Sequence, residues 1–191
     1  AGENKYNYYS LALLKNLRSI NLSGIKSIPS EIDKLFFLKE IILINSSVST
    51  LPESFNALNQ LTKIDLRACK NLKISEFIES IKGAQKTIKE LKIGHQDLNT
   101  IPYNISKLKS IQTLIIDNAC FEKLSSSFSK FKGNTLHFRN CRFSNPSAIF
   151  NHVGKAKKLK SLYINNCVFG QSNWKIAVSY THLRAHETRH D

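Results

Sequence analysis

The residues with the clearest catalytic potential lie at the C-terminus. Residues 186–190 read His-Glu-Thr-Arg-His, the H-E-x-x-H pattern in which two histidines bind zinc and the glutamate acts as general base. Such a site needs a helix packed in a domain, a third protein ligand and a cleft, yet only Asp191 follows the pattern. His182 could at most complete a surface that binds metal adventitiously, as an affinity tag does. We therefore expect no metalloprotease activity, no metal site and no cofactor.

The segment around this motif differs in composition from the rest of the chain. Three of the six His and two of the six Arg lie in the last ten residues, where Lys is absent. From about Val178 onward the segment resembles translated sequencing-adapter read-through. We therefore expect residues 178–191 to be a non-native tail and the native C-terminus to be missing.

The elements that would position any site follow a repeating pattern. The unit that begins at Leu38, LKEIILINSSVSTLPESFNAL, has apolar residues at positions one, four and six, and later at intervals of about three. This pattern predicts a short strand with one buried face, followed by a helical or 3₁₀ turn that begins near a proline. Seven copies begin at residues 17, 38, 61, 88, 111, 133 and 159, in steps of 21, 23, 27, 23, 22 and 26. Because one unit cannot bury its apolar face alone, we expect the copies to stack around a continuous core.

The pattern resembles L-x-x-L-x-L-x-x-N/C-x-L of the leucine-rich repeat family, from about Leu17 to Phe169. The chain departs from it in a first unit that lacks two residues, in longer third and sixth units, and in aromatic replacements such as Phe138. The resemblance implies an α/β leucine-rich repeat solenoid. Its curved parallel β-sheet would form the concave face, and short helices or 3₁₀ turns the convex face. We expect an N-terminal flank or partial cap over residues 1–16 and the repeat domain over residues 17–177.

The four cysteines fit the repeat better than they fit a metal site. Position nine of the units holds Cys69, Cys141 and Cys167, and in other units Ser46, Gln96 and Ala119, while Cys120 lies one place later. A small group that faces inward there can meet the backbone of the turn. A disulfide between stacked units and a metal site remain the alternatives, although the chain has no C-x-x-C pair. Reduced cysteines and the lack of a visible signal peptide give a weak preference for an intracellular protein.

The outward-facing strand positions would form the concave face, where solenoids usually bind their partners. These 35 positions hold eight Lys or Arg and four Asp or Glu, a net +4, against +10 over the other 156 residues. The candidate partner contacts are Lys39, Ile42, Ile44, Arg67, Lys92, His95, Ile115, His137, Arg139 and Tyr163. Polar faces with a few apolar or aromatic anchors are typical of protein recognition.

These patterns favour a noncatalytic protein-protein interaction module that acts as a monomer. One alternative is the recognition domain of a truncated larger enzyme or receptor, such as a ligase effector or a receptor kinase, whose catalytic domain is absent. The net charge of +14 raises nucleic-acid or anionic-surface binding as a third reading. It is less favoured, because Tyr163 is the only large aromatic on the concave face and most basic residues would lie on turns and the convex side. No apolar run approaches ~18 residues, so we expect no membrane span.

Overall fold

Strands form where apolar and polar residues alternate at the start of each unit. The computed structural model describes residues 8–170 and 184–186. Its strands, numbered in chain order, are β1 (Ser19–Asn21), β2 (Glu40–Ile42), β3 (Lys63–Arg67), β4 (Glu90–Gly94), β5 (Thr113–Asp117), β6 (Cys120–Phe121), β7 (Thr135–Arg139), β8 (Arg142–Phe143), β9 (Ser161–Asn165), β10 (Val168–Phe169) and β11 (Arg184–His186).

The main sheet is entirely parallel and contains eight strands in the order β1-β2-β3-β4-β5-β7-β9-β11. The first residues of neighbouring strands pair with each other from β1 to β9, so the steps of 21, 23, 27, 23, 22 and 26 residues are confirmed. Strand β11 continues the sheet, with Arg184 opposite Ser161. It lies within residues 178–191, and the non-native origin of that segment stays a prediction.

Short helices on the other side of the core return the chain to the start of the next strand. The 3₁₀ helices are Tyr8–Leu13, Ser30–Lys34, Glu53–Ala57, Ala84–Lys86, Tyr103–Lys107 and Ser126–Lys130. Pro29, Pro52 and Pro102 each directly precede one of them, and each proline carbonyl accepts a hydrogen bond from the backbone N–H three residues later, at 3.0–3.2 Å. The proline therefore begins the turn without losing a hydrogen bond, because a first-turn N–H has no partner within the helix.

The two longest units use α-helices in place of a single 3₁₀ turn. Helix α1 (Ile74–Ser80) belongs to the third unit, and helix α2 (Pro146–Val153) belongs to the sixth. Helix α2 is capped by Asn145, whose Oδ1 accepts a hydrogen bond from the Ala148 N–H at 3.1 Å. The extra residues of these units thus lengthen the convex side and leave the strand register unchanged. None of the helices in the described part of the chain is long and apolar enough to span a membrane.

A left-handed residue at position eight turns the chain after most strands. It is Gly24 in the first unit, and elsewhere Asn45, Ala68, Asn118, Asn140 and Asn166, with φ between 51° and 76°. Glycine and asparagine tolerate this conformation, whereas alanine is strained in it. The fourth unit differs, because its left-handed residue is Gly94 at position seven, with φ 146°.

Phenylalanines fill the core of the last three repeats. Strands β6, β8 and β10 form a second parallel sheet behind the first, in the order β10-β8-β6. It places Phe121, Phe143 and Phe169 in a stack, with ring centroids 5.9 and 5.3 Å apart. The rings of Phe138 and Phe150 pack against Phe143 at 5.1 and 5.5 Å. The aromatic replacements noted in the sequence therefore form one continuous cluster.

Candidate binding surface on the concave sheet

Position five of the second to seventh repeats forms a row across the middle of the concave sheet. Strand register aligns Ile42, Asp65, Lys92, Ile115, His137 and Tyr163 in that order. At about 4.8 Å between strands, the row is roughly 24 Å long. Five of its six residues are half-buried, whereas Asp65 is buried. The row therefore brings together five of the ten candidate contacts, with two isoleucines among charged and aromatic side chains.

An ion-pair network lies beside this row, at position seven. The Arg67 guanidinium donates from Nε to Asp65 Oδ1 at 2.9 Å and from Nη2 to Asp65 Oδ2 at 2.8 Å. Its Nη1 lies 3.4 Å from Asp117 Oδ2, on the second strand along. These hydrogen bonds, together with the negative charges, raise the pKa of Arg67 above its ordinary value. The paired guanidinium compensates for the carboxylate of Asp65, which is only 6% exposed.

Gly94 allows Arg67 to reach across the intervening strand. It pairs with Arg67 in the register between β3 and β4, and therefore lies between Arg67 and the strand that carries Asp117. A Cβ atom on Gly94 would lie 1.7 Å from the Asp117 backbone oxygen. The absence of a side chain thus brings β5 close enough for an arginine to link three adjacent strands.

The network continues toward the last repeats through asparagine side chains. Asn140 Nδ2 donates to Asp117 Oδ1 at 2.8 Å, and Asn166 Nδ2 donates to Asn140 Oδ1 at 2.9 Å. Both asparagines are the left-handed residues of their turns. The same side chains that permit the turn therefore connect it to the neighbouring repeat.

The aromatic end of the row is also held in place. The rings of His137 and Tyr163 lie 5.4 Å apart at an angle of 51°, and His137 Nε2 lies 2.5 Å from Asn165 Oδ1. Two strands away in the same row, Lys92 forms an ion pair with Glu90 at 3.2 Å. The charged and aromatic side chains of this surface are thus oriented by their neighbours, which lowers the entropy lost on binding a partner.

The candidate contacts differ in exposure. Lys39 and Arg139 are exposed, whereas the other eight are half-buried. His95 is poorly available, because its side chain is only 13% exposed and its Nδ1 is buried without a hydrogen-bond partner, 3.9 Å from Asp97. Burial lowers the pKa of His95, which favours its neutral form.

Two of the three thiols at position nine, Cys69 and Cys141, make the inward contact predicted for them, whereas Cys167 Sγ donates within its own repeat, to the Asn165 carbonyl at 3.3 Å. Cys69 Sγ donates to the Leu43 carbonyl at 2.8 Å, and Cys141 Sγ to the Ile116 carbonyl at 3.5 Å, each in the preceding repeat. Ser46 makes the equivalent bond to the Leu22 carbonyl at 3.1 Å. All four cysteines are free thiols, and burial raises the pKa of Cys69.

Position nine does not face inward in the fourth repeat, so the prediction of an inward-facing residue there is wrong for Gln96. Gln96 is exposed. Its repeat lacks a left-handed residue at position eight, because the chain turns one residue earlier, at Gly94. The local shift explains why position nine does not point into the core here.

Of the two histidines of the C-terminal motif, only His186 lies within the described residues. His186 ends strand β11, opposite Tyr163, so the motif does not begin on a helix. Residues 187–191 and His182 lie outside the described residues. Among the residues that are described, no group of three or more His, Cys, Asp or Glu could hold a metal ion.

Asp65, Gly94, Asp117 and Asn140 belong to the outward-facing strand positions predicted for the concave face, but the sequence pattern did not single them out as functional residues. The contact between Asp65 and Arg67 could have been predicted from the sequence, since the two residues lie two apart on one strand and must share a face. The link to Asp117 was not local, because it depends on Gly94 and on the register of three strands.

Comparison with known proteins agrees with this architecture. No protein-family model matches the sequence, and no curated protein matches it. Among solved structures, internalin C2 from Listeria monocytogenes has a TM-score of 0.60 at 15% identity, covering 93% of this chain and 74% of that one. The TLR13–ssRNA13 complex has a TM-score of 0.60 at 22% identity, covering 87% of this chain and 24% of that one.

A second internalin, inlF from Listeria monocytogenes, has a TM-score of 0.51 at 18% identity and covers 75% of this chain. The chain spans 39% of the length of that protein. Together with the register and the repeat steps, these similarities show that the chain has the leucine-rich repeat fold.

Proposed function

We propose that the chain is a noncatalytic binding module whose concave sheet receives a protein partner. The observation that carries this proposal is the position-five row, in which Ile42, Ile115 and Tyr163 lie among charged groups on one continuous face. Preformed surfaces of this kind, with few aromatic or apolar anchors in a polar setting, suit protein recognition. The ion pairs of Arg67 and Lys92 hold that surface in one arrangement before a partner arrives.

The experiment compares capture of partners by the 191-residue chain and by matched variants. Tyr163→Ala and Ile42→Ala truncate the two ends of the row, and each should weaken the capture of a specific partner by about tenfold if it is an anchor. Ile42→Asp should weaken it further, because it places a carboxylate opposite Asp65 in the strand register. Tyr103→Ala is the control, since Tyr103 is 63% exposed and lies in a helix of the convex side.

Loss of the same captured protein with the row variants, and its retention with Tyr103→Ala, would support the proposal. Thermal unfolding of each variant checks that the fold is intact. Equal capture by all variants would place the partner site away from the concave face.

The alternative is that this chain is the recognition part of a larger enzyme or receptor. Two of the similar structures are longer chains, since this chain spans 39% of inlF and 24% of the TLR13 chain. The full reading frame tests this alternative, because a kinase or ligase domain joined to the repeats would give the concave face a substrate-selecting role.

A further inference from the structure

The turns that lead into the strands carry almost all of the net charge. Each turn is defined by the seven residues that end with the first residue of its main-sheet strand. From β1 to β9 the turns are residues 13–19, 34–40, 57–63, 84–90, 107–113, 129–135 and 155–161. These 49 residues hold 15 Lys or Arg and two Asp or Glu, a net +13, whereas the other 142 residues hold 13 and 12, a net +1. An even distribution would place about seven basic residues there. We call this set of turns the basic edge.

The basic edge is continuous because the main sheet is parallel, so all of its strands begin on the same side. Backbone hydrogen bonds of 2.8 Å join Lys39 to Arg18 and Thr62 to Lys39 at this side. Similar bonds continue to Lys160, which donates to the Asn134 carbonyl at 2.8 Å. Six spacings of about 4.8 Å make the basic edge roughly 29 Å long.

The charges of the basic edge are exposed and mostly unneutralised. All 15 of its basic residues are exposed. Among the described residues, the salt bridges of this set are Lys34 with Asp33 at 3.3 Å and Lys107 with Glu79 at 2.6 Å. The basic edge therefore presents a high local density of positive charge to solvent.

Exposed apolar side chains lie at one end of the basic edge. Six large hydrophobic residues are exposed in the described chain, and four belong to the first two turns of this edge. They are Leu13, Leu14, Phe36 and Phe37, at 80%, 48%, 54% and 44% exposure. The two turns are neighbours, since β1 and β2 pair directly. The same side of the solenoid thus combines a row of lysines with a cluster of apolar groups.

We propose that the basic edge binds the surface of an anionic phospholipid bilayer. Leu13, Leu14, Phe36 and Phe37 would insert among the headgroups, and the lysines would lie against the lipid phosphates and carboxylates. Peripheral binding of useful strength needs two such contributions, one electrostatic and one apolar. The position-five row contains no residue of the basic edge and would stay open to a partner, although Lys39 belongs both to the edge and to the candidate contacts named above.

Two features favour a bilayer over a nucleic acid. Fourteen of the 15 basic residues are Lys, a compact point charge, whereas Arg is the residue suited to bidentate phosphate recognition. Single-strand binding surfaces also place aromatic rings along the path of the bases. Here Phe36 and Phe37 are adjacent at one end, next to two leucines that cannot stack on bases.

The electrostatic part is tested by co-sedimentation of the 191-residue chain with vesicles. Vesicles of phosphatidylcholine with 30 mol% phosphatidylserine should bind it at low salt, and pure phosphatidylcholine vesicles should not. An exposed lysine near an anionic surface raises the vesicle partition coefficient about fivefold. The triple variant Lys155→Gln, Lys157→Gln, Lys158→Gln should therefore lower that coefficient by on the order of 100-fold. The matched control replaces the exposed Lys26, Lys70 and Lys123, which lie outside the basic edge, with Gln and makes the same change in net charge.

The apolar part is tested at high salt, where screening weakens the lysine contribution. Phe36→Ser with Phe37→Ser should abolish the binding that remains at 0.5 M salt, whereas Val168→Ser, at a site that is 55% exposed outside the basic edge, should not.

Equal losses from the two lysine triples would overturn the proposal, because they would show a response to net charge alone. It would also be overturned if the vesicles did not bind and a single-stranded or duplex oligonucleotide did. Circular dichroism of every variant confirms that the fold is retained. Since none of these variants alters the position-five row, failure here would leave the proposal for the concave face untouched.

Discussion

Gly94 is the residue on which the arrangement of the three central strands depends most directly. Its φ of 146° is a conformation that alanine rarely adopts, and replacement by alanine costs about 1–3 kcal/mol for this reason alone. The added Cβ would also meet the Asp117 oxygen, carbon and nitrogen at 1.7, 2.6 and 2.7 Å. All three are backbone atoms, so no side-chain rotation can relieve the contact.

The size of the required movement follows from these distances. To reach an ordinary contact of 3.4 Å from the oxygen, β4 and β5 must separate locally by about 1.7 Å, which is 3.4 minus 1.7. That separation disturbs neighbouring ladder hydrogen bonds, at about 1 kcal/mol each, and carries Asp117 away from Arg67. We therefore expect Gly94→Ala to lower the free energy of unfolding by about 3–6 kcal/mol in total.

Gly24→Ala is the matched control, because Gly24 also has a positive φ, 76°, but an added Cβ would meet nothing within 4 Å. It should cost only about 1–2 kcal/mol from backbone strain. Urea unfolding followed by circular dichroism measures both variants, with linear extrapolation to water. As a local readout, hydrogen exchange at the Ala68 amide, which donates to the Gly94 carbonyl at 2.7 Å, should accelerate in Gly94→Ala. A difference between the two variants below about 1 kcal/mol would refute the steric reasoning.

Three further predictions concern the same part of the molecule. Ala68→Gly should raise the free energy of unfolding by about 1 kcal/mol, because it removes the strain of an alanine at φ 59°; an unchanged urea midpoint would contradict this. Arg67→Leu should lower the free energy of unfolding by about 3–5 kcal/mol, because the buried Asp65 carboxylate loses its partner. The control, Arg139→Leu at an exposed site, should change the free energy of unfolding by less than about 0.5 kcal/mol in the same titration. Because burial lowers the pKa of His95, the unfolded state takes up a proton more readily, so stability should fall as pH decreases through about 6.5. His95→Asn should flatten that part of the stability–pH curve, and an unaltered slope would show that His95 does not cause it.

The strand positions could be predicted from the sequence because the governing interaction is local and periodic. Apolar residues at positions one, four and six must face one side, and copies at regular intervals must stack, so the unit starts predicted the pairing of Ser19 with Glu40 and of Thr135 with Ser161. The inward contacts of Ser46, Cys69 and Cys141 at position nine followed in the same way, because a small polar group recurs there and meets a carbonyl of the preceding repeat.

Contacts between side chains on different strands could not be derived in this way. Arg67 reaches Asp117, 50 residues later, only because Gly94 has no side chain and the backbone turns early in that repeat. The sequence shows the number of lysines and predicted that most basic residues would be dispersed over the turns and the convex side. The parallel register instead aligns equivalent turns, and it brings Arg18 and Lys160, 142 residues apart in the chain, to one edge of the sheet. The sequence by itself thus determined which residues are buried and where each repeat begins, since those depend on local periodicity. The tertiary structure alone decided which polar groups meet across strands, because that depends on register and on the space left between neighbouring backbones.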